Sequence, residues 1–560
     1  MRIARRIAGS FLVVFVAALY AAAASSDVAD AAMKRDASAV RDLLQQKADV
    51  NAQQADGSTA LHWAVHFDDV NMVQMLIGAG ANVKATNRFG VTPLALACQN
   101  GNAAIVEKVI KAGADPNAAL SELGETPLMM AARTGNVGTV RVLLDNGANV
   151  NAKENSRSQT ALMWAASEGH PAVAKLLIER GADVNARSKI VAAAARGGIG
   201  GGGGAGARGG NAAAGAGARG GAATPGQGGQ AGPSTAAGQA PPAPAPAAPA
   251  SGQVPPVPAR GQGQAAAAGA SPPPPTPGTG TGGVTSLMLA AREGNLDAVK
   301  VLVDAKADVN MLSGNGSTAM LMAILNGNYQ VAAYLLDHGA NPNLADRDGK
   351  AALYALVEMR NLDTTDTPGP IADKGEAIEL TQSVLQHGAD VNARLTAKPP
   401  FRGGANRSWF SEPGATPFYR AAASGDVKMM RMLLAYGADP YITSLDNTTP
   451  LMAASGVGYL VGSSYSWPEK DALEAVKLAM QLGDVNAVNN AGLTALHGAA
   501  FRGWNGAVQT LVDGGAKLDA KDKQGRTPMN WADAFYRGGG IAPVRQVQTL
   551  ALFEQLMKKN

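Results

Sequence analysis

The sequence predicts an all-α repeat solenoid on three observations. A Thr-Ala/Pro-Leu type of motif returns about every 33 residues along most of the 560-residue chain. A second motif, of the form Gly-Ala-Asp/Asn-Val-Asn, keeps pace with it. Between the two lie stretches whose apolar residues recur at helical spacing, closed by glycines where a helix must stop.

The first motif stands at Thr59-Ala60-Leu61-His62, Thr92-Pro93-Leu94, Thr126-Pro127-Leu128 and Thr160-Ala161-Leu162. It continues at Thr285-Ser286-Leu287, Thr318-Ala319-Met320 and, degenerate, Ala351-Ala352-Leu353. Thr416-Pro417-Phe418, Thr449-Pro450-Leu451, Thr494-Ala495-Leu496-His497 and Thr527-Pro528-Met529 complete the series. The steps are 33, 34, 34, 125, 33, 33, 65, 33, 45 and 33, so three of them carry insertions.

Each element has a local cause. Thr92 can cap a helix by accepting from its first free amides, and Pro93 follows where a missing N–H costs nothing. Glycines such as Gly101, Gly135 and Gly503 end the first helix. Val140, Val142, Leu143 and Leu144 give the second helix its apolar face. Gly147 suits the left-handed position just past a helix end. Asp56-Gly57 and Asp348-Gly349 are turn dipeptides for the finger tips. A unit of this size cannot bury its apolar face alone, so stability comes from stacking on neighbours. The ends of such a stack need polar caps, which residues 27–47 and 550–560 supply.

The pattern resembles the ankyrin repeat, whose signature is a period near 33 with T-P-L-H-x-A. The resemblance covers nearly everything outside the N-terminus and one Gly/Ala/Pro-rich block. It implies antiparallel helix pairs with hairpin fingers, stacked into a curved array of about twelve repeats counting caps. It also implies that His62 and His497 hydrogen-bond within the framework, and that partners bind at finger tips and first helices.

Residues 1–25 read as a signal peptide: Arg2, Arg5 and Arg6 precede an apolar run over 7–20, and small residues follow. Cleavage is expected near Ala24 or Ser25; an uncleaved membrane anchor is the alternative. The expected location is therefore periplasmic or secreted, in a bacterium, since an Ala/Gly/Pro excess suits a GC-rich genome. Residues 26–189 and 284–560 form the two parts of the repeat array. Between them, residues 190–283 are Gly, Ala, Pro and little else, a composition that predicts disorder. This block falls inside one finger, because Asn185 to Thr285 spans 100 residues where Asn51 to Thr59 spans eight. Neither flank is capped, so one continuous stack with a looped-out segment is expected.

The chain carries a formal charge of +4, but seven of its 48 basic residues lie in 1–24 and 190–283, which hold no acid. The remaining 41 face 44 acidic residues, so the folded part is mildly acidic and nucleic acid is not expected as a partner. The lone Cys98 excludes an internal disulfide and reads as a buried small apolar residue. His62 and His66 are four apart, yet no Glu follows the first, so the zinc-protease motif is absent. No nucleophile elbow, CxxC or dinucleotide fingerprint occurs. No catalytic residue, cofactor or metal is expected, and the protein is not expected to be an enzyme.

Binding is the remaining function, by a monomer that recognises a protein partner. Three insertions mark candidate surfaces, at 361–375, 394–414 and 456–469. The last two carry Phe401, Arg402, Trp409, Phe410, Tyr459, Tyr465 and Trp467. Aromatic residues beside an Arg on loops held by a rigid scaffold are typical interface anchors. Two other functions fit the same residues: a glycan or cell-wall module, and an accessory subunit or inhibitor of a periplasmic enzyme.

Overall fold

The computed structural model describes residues 26–192, 280–361, 374–397, 413–458, 469–533 and 545–559. Among them are twenty-four helices, which taken two by two make twelve pairs. The first five pairs are α1 (Asp27–Met33) with α2 (Ala37–Gln45), α3 (Ala60–His66) with α4 (Val70–Gly78), α5 (Pro93–Asn100) with α6 (Ala103–Lys111), α7 (Pro127–Thr134) with α8 (Val137–Asp145), and α9 (Ala161–Ser167) with α10 (Pro171–Glu179). Two strands follow, β1 (Ile190–Ala192) and β2 (Gly280–Gly282). Then come α11 (Ser286–Glu293) with α12 (Leu296–Asp304), α13 (Ala319–Leu325) with α14 (Tyr329–Asp337), and α15 (Ala352–Arg360) with α16 (Lys374–Gln386). The last four pairs are α17 (Pro417–Ala423) with α18 (Val427–Ala435), α19 (Pro450–Ala454) with α20 (Glu469–Leu482), α21 (Ala495–Arg502) with α22 (Asn505–Asp513), and α23 (Pro528–Ala532) with α24 (Val547–Lys559).

One repeat shows why the pairs form. Thr92 Oγ1 accepts from the Ala95 amide at 3.1 Å, and Pro93 takes the first position of α5. Gly101 ends that helix at φ +75°, and a Cβ there would collide with the Asn136 side chain of the next repeat. Glycine is favoured on both counts. Asn102 then caps α6 through Ile105 N–H, and α6 buries Ile105, Val106 and Val109. Asp36, Asp69, Asn136 and Asp426 start their helices the same way.

First helices pack on first helices along the row, and most second helices on second helices. A single apolar cluster runs from Val28 to Leu556, so the core belongs to the stack and not to any one pair. The row is continuous across the long insert. Helix α9 packs on α11 and α10 on α12, although more than a hundred residues separate them. Closing a loop of ~90 residues costs about 4 kcal/mol, whereas an interface of ~1,000 Å² contributes several times that at about 25 cal/mol per Å². The finger between α10 and α11 extends as an antiparallel ladder, with Ile190 opposite Gly282 and Ala192 opposite Gly280. These residues lie inside the boundaries that composition gave the insert, so the ordered finger is longer than the sequence indicated.

Asparagine bridges tie the fingers to one another. Asn151 Nδ2 donates to Gly181 O at 3.0 Å, and its Oδ1 accepts from Asp183 N at 2.9 Å. The same bridge leaves Asn51, Asn117, Asn310, Asn343, Asn392 and Asn486 for the next repeat. Across the insert, Asn185 Oδ1 accepts from Asp308 N at 2.9 Å. Asn295 Nδ2 adds bonds to Ala166 O and Ser167 O at 3.0 and 2.8 Å. Lys84 and Tyr441 occupy the corresponding place in two repeats, and neither supplies an amide.

Removing the bridge with Asn151→Ala should therefore lower stability by about 1–2 kcal/mol, seen as a lower urea midpoint with unchanged slope. Supplying one with Lys84→Asn should raise the midpoint. An unmoved midpoint in both would show that the bridges are incidental to the stack.

Candidate functional site

The three insertions fall where the period is broken. The segment 361–375 separates α15 from α16 and 456–469 separates α19 from α20, each within a helix pair, whereas 394–414 lies in the finger before α17. Phe401, Arg402, Trp409, Phe410, Tyr459, Tyr465 and Trp467 all lie outside the described residues.

The described fingers present apolar side chains of their own. Asn87 Oδ1 accepts from the amides of Phe89 and Val91, both at 3.0 Å, which fixes the tip of one finger. That tip leans on the preceding finger through Arg88 N–H to Asp56 O at 2.9 Å. Phe89 stands 69% exposed on it, with the Arg88 guanidinium over its ring at 4.7 Å. Leu123, Tyr441, Leu445 and Val488 are exposed on other fingers, Leu445 at 65%. Scattered apolar exposure is ordinary, but here most of it gathers on one class of loop held rigid by the stack.

A cavity of ≈ 540 Å³ opens between the fingers and the first helices where the insert departs. Arg133, Arg157, Lys189 and Arg292 line it, with Glu168 as the one carboxylate among the described lining residues. Its apolar wall includes Met163, Val191 and Leu289. Trp164 lines it too, with the Arg133 guanidinium 5.4 Å from its ring. Three repeats place a tryptophan at this position of the first helix, as Trp63, Trp164 and Trp531. Trp63 Nε1 donates to Gln54 Oε1 at 2.6 Å, and Trp531 Nε1 to Asp522 Oδ2 at 2.9 Å. Trp164 Nε1 is buried with no acceptor among the described residues. Its counterpart acceptor, Glu154, instead takes the amides of Ser156, Arg157 and Gln159 at 2.6, 2.7 and 2.9 Å. Residue-by-residue reading did not single Trp164 out. The available signal was its finger, in which Asn151 precedes Thr160 by nine residues instead of the eight from Asn51 to Thr59.

The buried histidines His62 and His497 serve the framework. Thr59 N–H donates to His62 Nδ1 at 3.1 Å, so Nδ1 is unprotonated and Nε2–H donates to Val91 O at 3.0 Å. His497 repeats this with Thr494 at 3.1 Å and Arg526 O at 3.2 Å. With both ring nitrogens committed, His62 has none left for a metal shared with His66. Burial holds both imidazoles below their ordinary pKa, against the raising effect of Asp56 near His62 and Asp522 near His497. Cys98 is fully buried and its thiol is pushed up to about 12. Among the described residues no group of three His, Cys, Asp or Glu could hold a metal, and no helix is long and apolar enough to cross a membrane.

A family model for ankyrin repeats in threes matches residues 28–120, 112–188, 285–367 and 467–535, together more than half of the chain. A model for the single ankyrin repeat matches 413–442. Similar proteins include the mouse nuclear factor NF-kappa-B p105 subunit, 41% identical over 76 residues, or 13% of this chain and 8% of that protein. The Caenorhabditis elegans ankyrin repeat and KH domain-containing protein mask-1 is 40% identical over 78 residues, 14% of this chain and 3% of that one. Palmitoyltransferase AKR1 of Lachancea kluyveri is 36% identical over 73 residues, 13% of this chain and 10% of that one. The matched segments thus span a tenth or less of these relatives.

The two histidines give a signed pH dependence. Below about pH 6.5 the unfolded chain protonates them while the fold resists, so their stabilisation is complete above that pH and is lost as pH falls. Thermal midpoints should drop between about pH 7 and about pH 5. A His62→Gln, His497→Gln variant should start lower and fall less steeply; an equal slope would contradict the assignment.

Proposed function

Because this chain belongs to the ankyrin-repeat family, we propose that it is a binding protein whose partner is another protein. Ankyrin repeats generally mediate protein–protein interaction, which supports this reading. The observation that carries it is the finger side of the stack. There, rigid turns hold Phe89, Leu123, Tyr441, Leu445 and Val488 in solvent, while the buried His and Cys side chains are spent on the framework. Large apolar residues on preorganised loops cost little ordering entropy to bury against a partner. The proposal includes a second contact at the aromatic insertions, through Phe401, Arg402, Trp409, Phe410, Tyr459, Tyr465 and Trp467. It also includes a location outside the cytoplasm, resting on the positive and apolar pattern of residues 1–25.

The test is capture of a partner from an extract of the source organism, with the full chain beside two variants. One variant carries Phe89→Ser, Leu123→Ser, Leu445→Ser and Val488→Ser; the other replaces residues 394–414 with a short turn. A protein held by the parent and lost by the first variant is the expected result. Loss only in the second would move the interface to the insertions. Retention on isolated wall polysaccharide with no protein captured would contradict the proposal.

A further inference from the structure

We infer that the cavity between the fingers and α7, α9 and α11 is the receptor for an acidic segment of the partner, a peptide in which carboxylates alternate with apolar residues. The inference rests on the protein-binding reading and names a site and a chemistry for it. The cavity gathers four cations, Arg133, Arg157, Lys189 and Arg292, around one lining carboxylate, Glu168. Arg292 also pairs with Glu293 at 2.7 Å, and both are exposed. Among the described residues, no acidic side chain faces Arg157 or Lys189 at ion-pair distance. In a fold whose charge is otherwise mildly acidic, four cations of which only Arg292 is paired favour a counter-charge from outside.

The apolar wall narrows the ligand further. Met163, Val191 and Leu289 offer contact to carbon, so a bare anion such as inorganic phosphate would leave the apolar wall uncovered. An extended peptide projects alternate residues to opposite sides, which matches a cationic rim over an apolar floor.

Trp164 supplies the independent mark. Two sister tryptophans in the same structural position satisfy their indole N–H with a finger residue, so the framework can do this wherever it is allowed to. At Trp164 the finger acceptor is turned onto its own backbone amides, and the indole N–H is left unmade next to the cavity. A buried donor without an acceptor is costly to keep, and a carboxylate entering beside it relieves that cost. The nitrogen is covered in the unliganded protein, so the bond forms as rim side chains are displaced.

The test is fluorescence polarisation of a short fluorescein-labelled peptide of alternating Glu and Leu against the full chain, with a Lys–Leu peptide as control. The acidic peptide should bind, weaken as sodium chloride is raised, and persist in inorganic phosphate. Arg133→Gln with Arg292→Gln, both exposed positions, should weaken it about tenfold. Trp164→Phe, which keeps the ring, should weaken it about threefold or more, while Trp63→Phe leaves it unchanged. Far-UV circular dichroism and the thermal midpoint of each variant verify that the stack is intact. Equal binding of the two peptides, displacement by phosphate, or affinity indifferent to the Arg pair overturns the site. Should a natural partner be captured and the Glu–Leu peptide fail to bind, the site falls and the protein-binding reading stands.

Discussion

Among the described residues no interior helix pair buries its apolar face alone; each depends on the pair before and the pair after it. The core is therefore a property of adjacency, one cluster running from Val28 to Leu556, and anything that breaks adjacency exposes two faces at once. That constraint explains how the chain tolerates its interruptions. They emerge from fingers or from the turn between paired helices, and the helices on either side still meet. It also explains the polar bonds that run between repeats. Asparagine amides reach from one finger to the next, and capping residues such as Asn295 reach back to the carbonyls of the preceding first helix.

The proposed receptor cavity is a consequence of the same adjacency. Arg133 and Arg157 come from before the long insert, Leu289 and Arg292 from after it, and the ladder of β1 with β2 closes one side. Two separate arrays would carry these residues on different bodies. Only a stack that passes unbroken from α9 to α11 brings the four cations together.

Much of the fold was legible because its determinants are local. A Thr before a Pro-Leu pair, a glycine eight or nine residues on, and an Asn in the finger each act within one repeat or on its immediate neighbour, and repetition averages out chance. Thr92, Pro93 and Gly101 do in space what their order implied. The buried framework role of His62 was implied by family resemblance, and the bonds to Thr59 and Val91 supply its physical reason. The ladder of Ile190–Ala192 with Gly280–Gly282 was not legible, since its strands are far apart in sequence and one is glycine-rich like the insert itself. Trp164 was hidden for a different cause. Its type and spacing match Trp63, and the difference lies in where the Glu154 carboxylate turns.

The continuity of the stack across the insert is the claim on which the cavity and its charge depend, and one experiment reaches it directly. The purified chain is cleaved by limited proteolysis within residues Ala195–Pro273 and passed over a sizing column under native conditions. A continuous stack keeps the two fragments together at the elution volume of the intact chain, separating them only in denaturant. Two fragments that part in native buffer would show two independent arrays, and the cavity between α9 and α11 would not exist in solution.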